Sequence, residues 1–343
     1  MRDVSAAAPF LRWHNIRAEP KQVMQMPQTV LSRSAESRAV TGPVRPPVNW
    51  SRTVTVLFFL APAVILYLLF VLFPVVQAAH YSLYKWNGLG PLTNMIGLEN
   101  YARIFADPIF HRAISNNLII AGLSLLIQLP FALGLALMTG RSMPGKTFFR
   151  TVYFLPYVLA DVATAVMWRS IYNPQSGLIN GLAKHFGWEP QAWLSDPQTV
   201  LYAIFVVITW KYFGFHLVLF MSGLQQIPAE LEEAALIDGC NRRQVLRYVT
   251  LPLLGSTIRL CIYLSVLGSI QFFDLIWVIS GGGPTNASET MVTYLYKFGF
   301  QRFALGYGSA VAVVLFGLSL VFSLLYQRYV MGRDMAASRV TAR

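Results

Sequence analysis

The sequence predicts an all-α, polytopic integral membrane protein with six transmembrane helices. Three observations lead there. Of 343 residues, 55% are hydrophobic and only 12% charged, against about 25% charged in an ordinary soluble domain. Six apolar stretches are each long enough to cross a bilayer as helix, which takes about 20 residues. The chain also carries 23 Phe, 16 Tyr and 8 Trp, more than a soluble core of this size needs and in keeping with lipid-facing surface. So little polar surface excludes a soluble globule, and so much apolar content excludes a disordered or collagen-like chain.

The stretches run over about 54–79, 114–139, 149–172, 200–224, 256–280 and 306–330. Each must be helical, because lipid offers the backbone no hydrogen-bond partners. Pro62, Pro74, Pro130 and Pro156 lie inside them, where kinks are tolerated if neighbouring helices satisfy the freed carbonyls. Residues 1–53 are rich in Arg, Pro, Ser and Gln without an apolar period, and read as a mobile cytoplasmic tail. They lack the compact apolar core of a secretory signal. The membrane domain is therefore set at 54–333, with a short cytoplasmic C-terminal tail over 334–343. Residues 97–113 read as a short amphipathic helix on the outer surface. Gly281-Gly282-Gly283-Pro284 forces a tight turn after span five. No inverted repeat relates the halves, which weakens a secondary-transporter reading.

Charge sets the orientation. The chain holds 27 basic and 15 acidic residues, a net +12. On a soluble chain that would suggest nucleic acid. On a membrane chain it reflects Lys and Arg held at the cytoplasmic face, so no nucleic-acid partner is expected. With the N-terminus inside, the inner segments hold 19 basic residues and the outer loops six. Both termini are therefore expected in the cytoplasm. Cys240 and Cys261 offer neither a disulfide framework nor a metal cluster.

The most informative segment is the loop between spans four and five, residues 227–254: I-P-A-E-L-E-E-A-A-L-I-D-G-C-N-R-R-Q-V-L-R-Y-V-T-L-P-L-L. Pro228 sits near a helix start, and Glu230, Glu232 and Glu233 follow where the helix dipole favours anions. Ala234 and Ala235 give a bare surface, Gly239 ends the helix, and a basic segment leads to Leu251-Pro252. Physically this is a helix-turn-helix along the inner face on which another protein could sit closely, or else a solvated amphipathic loop. Glu233-Ala234-Ala235, Asp238-Gly239 and Leu251-Pro252, at these spacings, resemble the "EAA" loop of permease subunits of bacterial ATP-binding cassette importers. Val249 stands for the usual Ile and Cys240 for a usual Ala. The stretches at 97–108, 154–157, 272–284 and 306–310 are similar to the carbohydrate-uptake, maltose-transporter-like branch.

That resemblance covers about 54–333 and implies the type I ABC importer permease fold. It implies a heterodimer with a second permease, two cytosolic ATPases and an external solute-binding protein. It also implies that the permease binds no cofactor itself, ATP and Mg being used by the ATPase subunits. The EAA helix would dock on the ATPase. Gly140–Thr147 matches the phosphate-loop pattern. Such a loop needs a preceding strand and a soluble helix to cradle phosphates, and here it links two membrane spans, so Arg141 and Lys146 read as inner-face anchors.

Charges inside the membrane are functional candidates by default. Asp161 and Lys211 fall at similar depth near the midplane, and Asp274 nearer the outer end of span five. Asp161 and Lys211 either form a pair that only fixes helix register or line a polar wall for a hydroxyl-rich substrate. A sugar site needs hydrogen-bonding groups for hydroxyls and aromatic faces for the apolar side of the ring. By the resemblance, sugar contacts fall on Tyr157, Asp161, Ile208, Tyr212, Phe215, Ser265, Ser269 and Phe272, with Lys211 added on charge. Asp161 replaces a small hydroxyl residue of the maltose pattern, and Ile208 and Phe272 replace amides, departures that point away from maltose itself. The expected function is a sugar permease subunit working by alternating access. A permease for a glycerol phosphodiester or polyol, and a proton-coupled secondary transporter, are the alternatives.

Overall fold

The computed structural model describes residues 50–139 and 145–332. The two predicted tails and most of the phosphate-loop match lie outside the described residues. The chain separates into two compact units, Met1–Val64 and Ile65–Arg343. Among the described residues the first unit holds the opening turns of helix α1, Val54–Tyr81, where Phe58 and Phe59 are 74% and 75% exposed.

The second unit is a helical bundle, with no strand among the described residues. After α1 come α2 (Glu99–Ala106) and α3 (Pro108–Thr139). The third span is α4 (Lys146–Val158) followed by α5 (Asp161–Ile171). A surface helix α6 (Leu178–His185) precedes α7 (Val200–Gln225). The 227–254 loop forms α8 (Ala229–Ile237) and α9 (Arg242–Leu253). Then come α10 (Gly255–Gln271), α11 (Asp274–Ser280), the short α12 (Met291–Tyr294) and α13 (Leu305–Met331).

Among the described residues, four helices are long and apolar enough to cross a membrane unbroken: α1, α3, α7 and α13. Spans three and five differ from the continuous helices expected. Span three turns by 93° between α4 and α5; the stretch expected as span five is interrupted at Phe272 and Phe273, between α10 and α11, and the loop helix α9 meets α10 at 64°. Pro156 removes a backbone donor from the last turn of α4. Leu159 and Ala160 then take extended conformations, with ψ of 142° and 140°. The expected outer-surface helix also needs correction. Asp107 divides it, its side chain capping Ile109 N–H at 2.8 Å, and residues from Pro108 belong to span two. Asn100 of α2 is buried and donates to the Ser82 and Tyr84 carbonyls, so one face of this helix is anchored to the segment that follows α1.

Helix α7 is the centre of the bundle. One stretch of it packs Ile204, Val207 and Ile208 against Leu275, Ile276 and Ile279 of α11. Another packs Leu217, Phe220 and Leu224 against Leu129, Ala132 and Ala136 of α3. Lipid tails are as apolar as leucine, so such contacts rely on close fit and on hydrogen bonds between helices. Gly214 provides the fit, since a Cβ there would fall on the Tyr153 carbonyl of α4. Asn116 and Asn117 of α3 provide the bonds. Asn116 donates to the Ala287 and Glu289 carbonyls at 2.9 and 2.8 Å. Asn117 donates to Ser269 O at 2.5 Å and accepts from Met291 N–H at 2.9 Å.

Candidate functional site

The break in span three builds the site. Ending α4 at Val158 leaves its last carbonyls without helical donors, and restarting at Asp161 puts a carboxylate at the head of α5. Lys211, on the neighbouring α7, is 2% exposed. Its ammonium donates to Leu159 O at the break and pairs with Asp161 Oδ1 at 3.0 Å. The next residue, Tyr212, donates its hydroxyl to Asp161 at 3.1 Å. One lysine thus satisfies the exposed end of α4 and neutralises the carboxylate at the start of α5. The two charges that depth counting placed at one level do meet.

Asp161 is the partner that faces space. Its side chain retains 32% exposure while that of Lys211 retains 3%. It opens on a cavity of about 300 Å³ between α3, α4, α7 and α10. Seven of the nine expected contact residues line this cavity: Tyr157, Asp161, Tyr212, Phe215, Ser265, Ser269 and Phe272. Their rings form a continuous wall. Tyr157 stacks on Phe215 with centroids 5.0 Å apart, and Tyr212 meets Tyr157 and Phe272 edge-on at 5.9 and 5.4 Å. The other two expected residues are not at the cavity. Ile208 is buried in the α7–α11 core, because it lies about one helical turn beyond Tyr212 towards α11. Lys211 sits behind the wall and acts through Asp161.

Two polar residues that the sequence reading did not single out complete the lining. Gln128 of α3 and His216 of α7 are 2% and 4% exposed, and both border the cavity. Gln128 Nε2 and His216 Nδ1 have no hydrogen-bond partner among the described residues. Asp274, expected only as a charge near the outer end of span five, also borders it from the first position of α11. In chemical terms the cavity offers aromatic faces, two carboxylates and serine hydroxyls, bordered by an amide and an imidazole side chain. A polyhydroxylated ring matches each of these.

The second site is the 227–254 loop. Helix α8 ends in paired backbone bonds: Gly239 N–H donates to Leu236 O and Cys240 N–H to Ala235 O. This closure needs a left-handed residue, and Gly239 has φ of +88°. Space is not the reason for glycine, since nothing crowds its missing Cβ. Asn241 and Gln244 form a capping box that starts α9. Thr250 donates to Glu232 at 2.7 Å and fixes α8 against α9. Pro228 is the N-cap of α8, with Glu230 and Glu232 in its first turn, so Glu233 stands one position beyond the turn expected to hold it. Glu233, Ala234, Asp238, Gly239 and Pro252 are exposed, while Ala235 and Leu251 are half-buried. Ile237, 86% exposed, makes the outer face of α8 apolar as well as bare.

A bundle of broken and unbroken membrane helices, with a polar cavity in its middle and a projecting helical pair at one end, defines a membrane transport subunit. The chain matches the binding-protein-dependent transport system inner membrane component over residues 37–332, and it belongs to that family. It is 35% identical over 286 residues to the probable ABC transporter permease protein YurN of Bacillus subtilis, covering 82% of this chain and 97% of that one. It is 32% identical to the diacetylchitobiose uptake system permease protein NgcF of Streptomyces coelicolor, covering 86% and 87%. Among solved structures, a bacterial alginate ABC transporter in complex with an alginate pentasaccharide-bound periplasmic protein matches with a TM-score of 0.72. Identity there is 25%, over 83% of this chain and 96% of that one. The fold is that of a type I ABC importer permease.

Proposed function

We propose that this chain is the permease subunit of a bacterial ABC importer that carries a di- or oligosaccharide across the inner membrane by alternating access. The observation that carries this reading is the cavity. Aromatic faces and a lysine-supported carboxylate meet in the middle of the apolar bundle, where a charge without a task would be expensive. The chain performs no covalent chemistry and binds no cofactor. Its energy comes from two cytosolic subunits that hydrolyse ATP with Mg. A second permease closes the open side of the cavity, and an external solute-binding protein delivers the sugar. Both termini lie in the cytoplasm. The test is ATP-dependent uptake of labelled oligosaccharides into proteoliposomes holding the complete complex. Accumulation that needs both ATP and the binding protein supports the reading, and accumulation driven by a proton gradient alone overturns it.

Orientation has its own test. In a background with Cys240 and Cys261 replaced, a cysteine at exposed Ser195 is expected to react with an impermeant thiol reagent outside intact cells. One at exposed Gln244 is expected to stay unlabelled until the membrane is opened. Reversed labelling would place the basic segments outside, against the charge rule.

Coupling runs through α8. Gly239→Pro cannot adopt the left-handed φ that the turn needs, and backbone strain of about 1–3 kcal/mol then misdirects the helix. Co-purification of the ATPase is expected to fall by about tenfold while the permease still inserts and pairs with its partner. Wild-type recovery of a stimulated ATPase with this variant would remove α8 from the docking surface.

A further inference from the structure

Family membership does not settle the charge of the cargo. One similar permease is named for diacetylchitobiose, an uncharged sugar. A solved neighbour imports alginate, an acidic polysaccharide. The cavity of this chain carries its own answer. Two carboxylates border it, and Lys211 is committed to one of them from behind the wall. Asp274 is exposed, with no hydrogen bond or ion pair among the described residues. No Lys or Arg belongs to the cavity lining. The face that this chain presents to cargo therefore has net negative charge. Gln128 and His216, on two of the helices that line the cavity, each hold a buried nitrogen with no hydrogen-bond partner among the described residues.

Resting on the saccharide reading above, we infer that the cavity takes glycans whose polar groups are donors, hydroxyls or amines. It rejects glycans bearing carboxylate, sulfonate or phosphate, and Asp274 sets that charge rule. A hydroxyl or ammonium donates to Asp274 in a charge-assisted hydrogen bond. A cargo carboxylate brought to the same place meets a like charge with little water to screen it. This chain offers an anion no free counter-charge at the cavity, since the buried lysine nearby is held by Leu159 O and Asp161. Specificity here arises from a repulsive element as much as from an attractive one.

The test uses the assembled permease–ATPase complex in nanodiscs without binding protein, so that only the membrane site chooses. Saturation-transfer NMR is read with three probes of one linkage at millimolar concentration: cellotriose, its 6-carboxylate form and the glucosamine trimer. The wild-type complex is expected to favour the neutral and amino forms over the carboxylate by roughly tenfold or more. Asp274→Asn narrows that ratio and Asp274→Lys reverses it. Gln128→Lys, which adds a cation from a different helix, shifts the ratio the same way and keeps the test open if the Asp274 variants fail to assemble. A wild-type signal from the carboxylate equal to that from cellotriose overturns the charge rule and leaves the saccharide reading standing. So does an unchanged ratio in the assembled lysine variants. No signal from any of the three overturns the saccharide reading and this rule with it.

Discussion

Gly214→Val is expected to abolish accumulation of the folded permease. Helix α4 approaches α7 so closely at this point that any Cβ on residue 214 would occupy the position of the Tyr153 carbonyl. The obstacle is backbone rather than the tip of a flexible side chain, so no rotamer change relieves it. Either α4 moves away from α7 or the carbonyl tilts. Moving α4 separates Tyr153 from Phe213 and Tyr157 from Phe215, ring pairs now 6.0 and 5.0 Å apart, and displaces Leu159 and Asp161 from Lys211. Overpacking of a well-filled interior costs typically 1–3 kcal/mol and at times more, and three added carbons against fixed backbone put this case at about 3 kcal/mol or above. Fluorescence-detected size exclusion of the tagged protein reads the outcome, with Gly214→Ala giving an intermediate yield. A monodisperse wild-type-like peak from the valine variant would mean that the two helices lie further apart than described.

That close approach was not legible in the sequence, and the reason is general. Helix α7 is apolar around its whole circumference, so its residues carry no facing signal. One glycine in such a helix looks like any other until a neighbour is placed. The same lack of facing hid Gln128 on α3 and His216 on α7, which reached no motif and no charge rule. Chain counting did better where chemistry was scarce. Asp161 and Lys211 are rare charges in apolar spans, and equal depth on successive antiparallel helices brought them together on paper as in the fold. The turn at Gly239 was legible because glycine alone takes its backbone conformation cheaply. The break after Val158 was not. Pro156 announces a kink, but nothing in Leu159-Ala160 says that the helix stops for two residues and restarts at 93°.

The buried pair at that break gives the other large effect. Lys211→Met and Asp161→Asn are each expected to lower the yield of assembled permease sharply. Removing the ammonium strands two groups at once, the Asp161 carboxylate and the Leu159 carbonyl that ends α4. Breaking a fully buried pair from one side costs about 3–5 kcal/mol, and the partial exposure of Asp161 places this pair towards or below the lower end. Removing the carboxylate strands the other charge, because the buried Lys211 ammonium is left with the neutral Leu159 O alone. The double variant, Asp161→Asn with Lys211→Met, is expected to recover assembly beyond the lysine variant alone, since no charge is then left unpaired. Its uptake should remain poor, because Asp161 is the member that faces the cavity and a carboxylate accepts from sugar hydroxyls more strongly than an amide does. A double-mutant cycle run on complex yield and on sugar uptake separates the two roles. Coupling in both quantities means that the pair holds the helix break and also meets cargo. Coupling in yield with normal uptake by the double variant would assign the pair to structure alone and leave cargo to the aromatic wall, the serines and Asp274. Strictly additive losses in yield would mean that Lys211 and Asp161 do not meet in the assembled transporter.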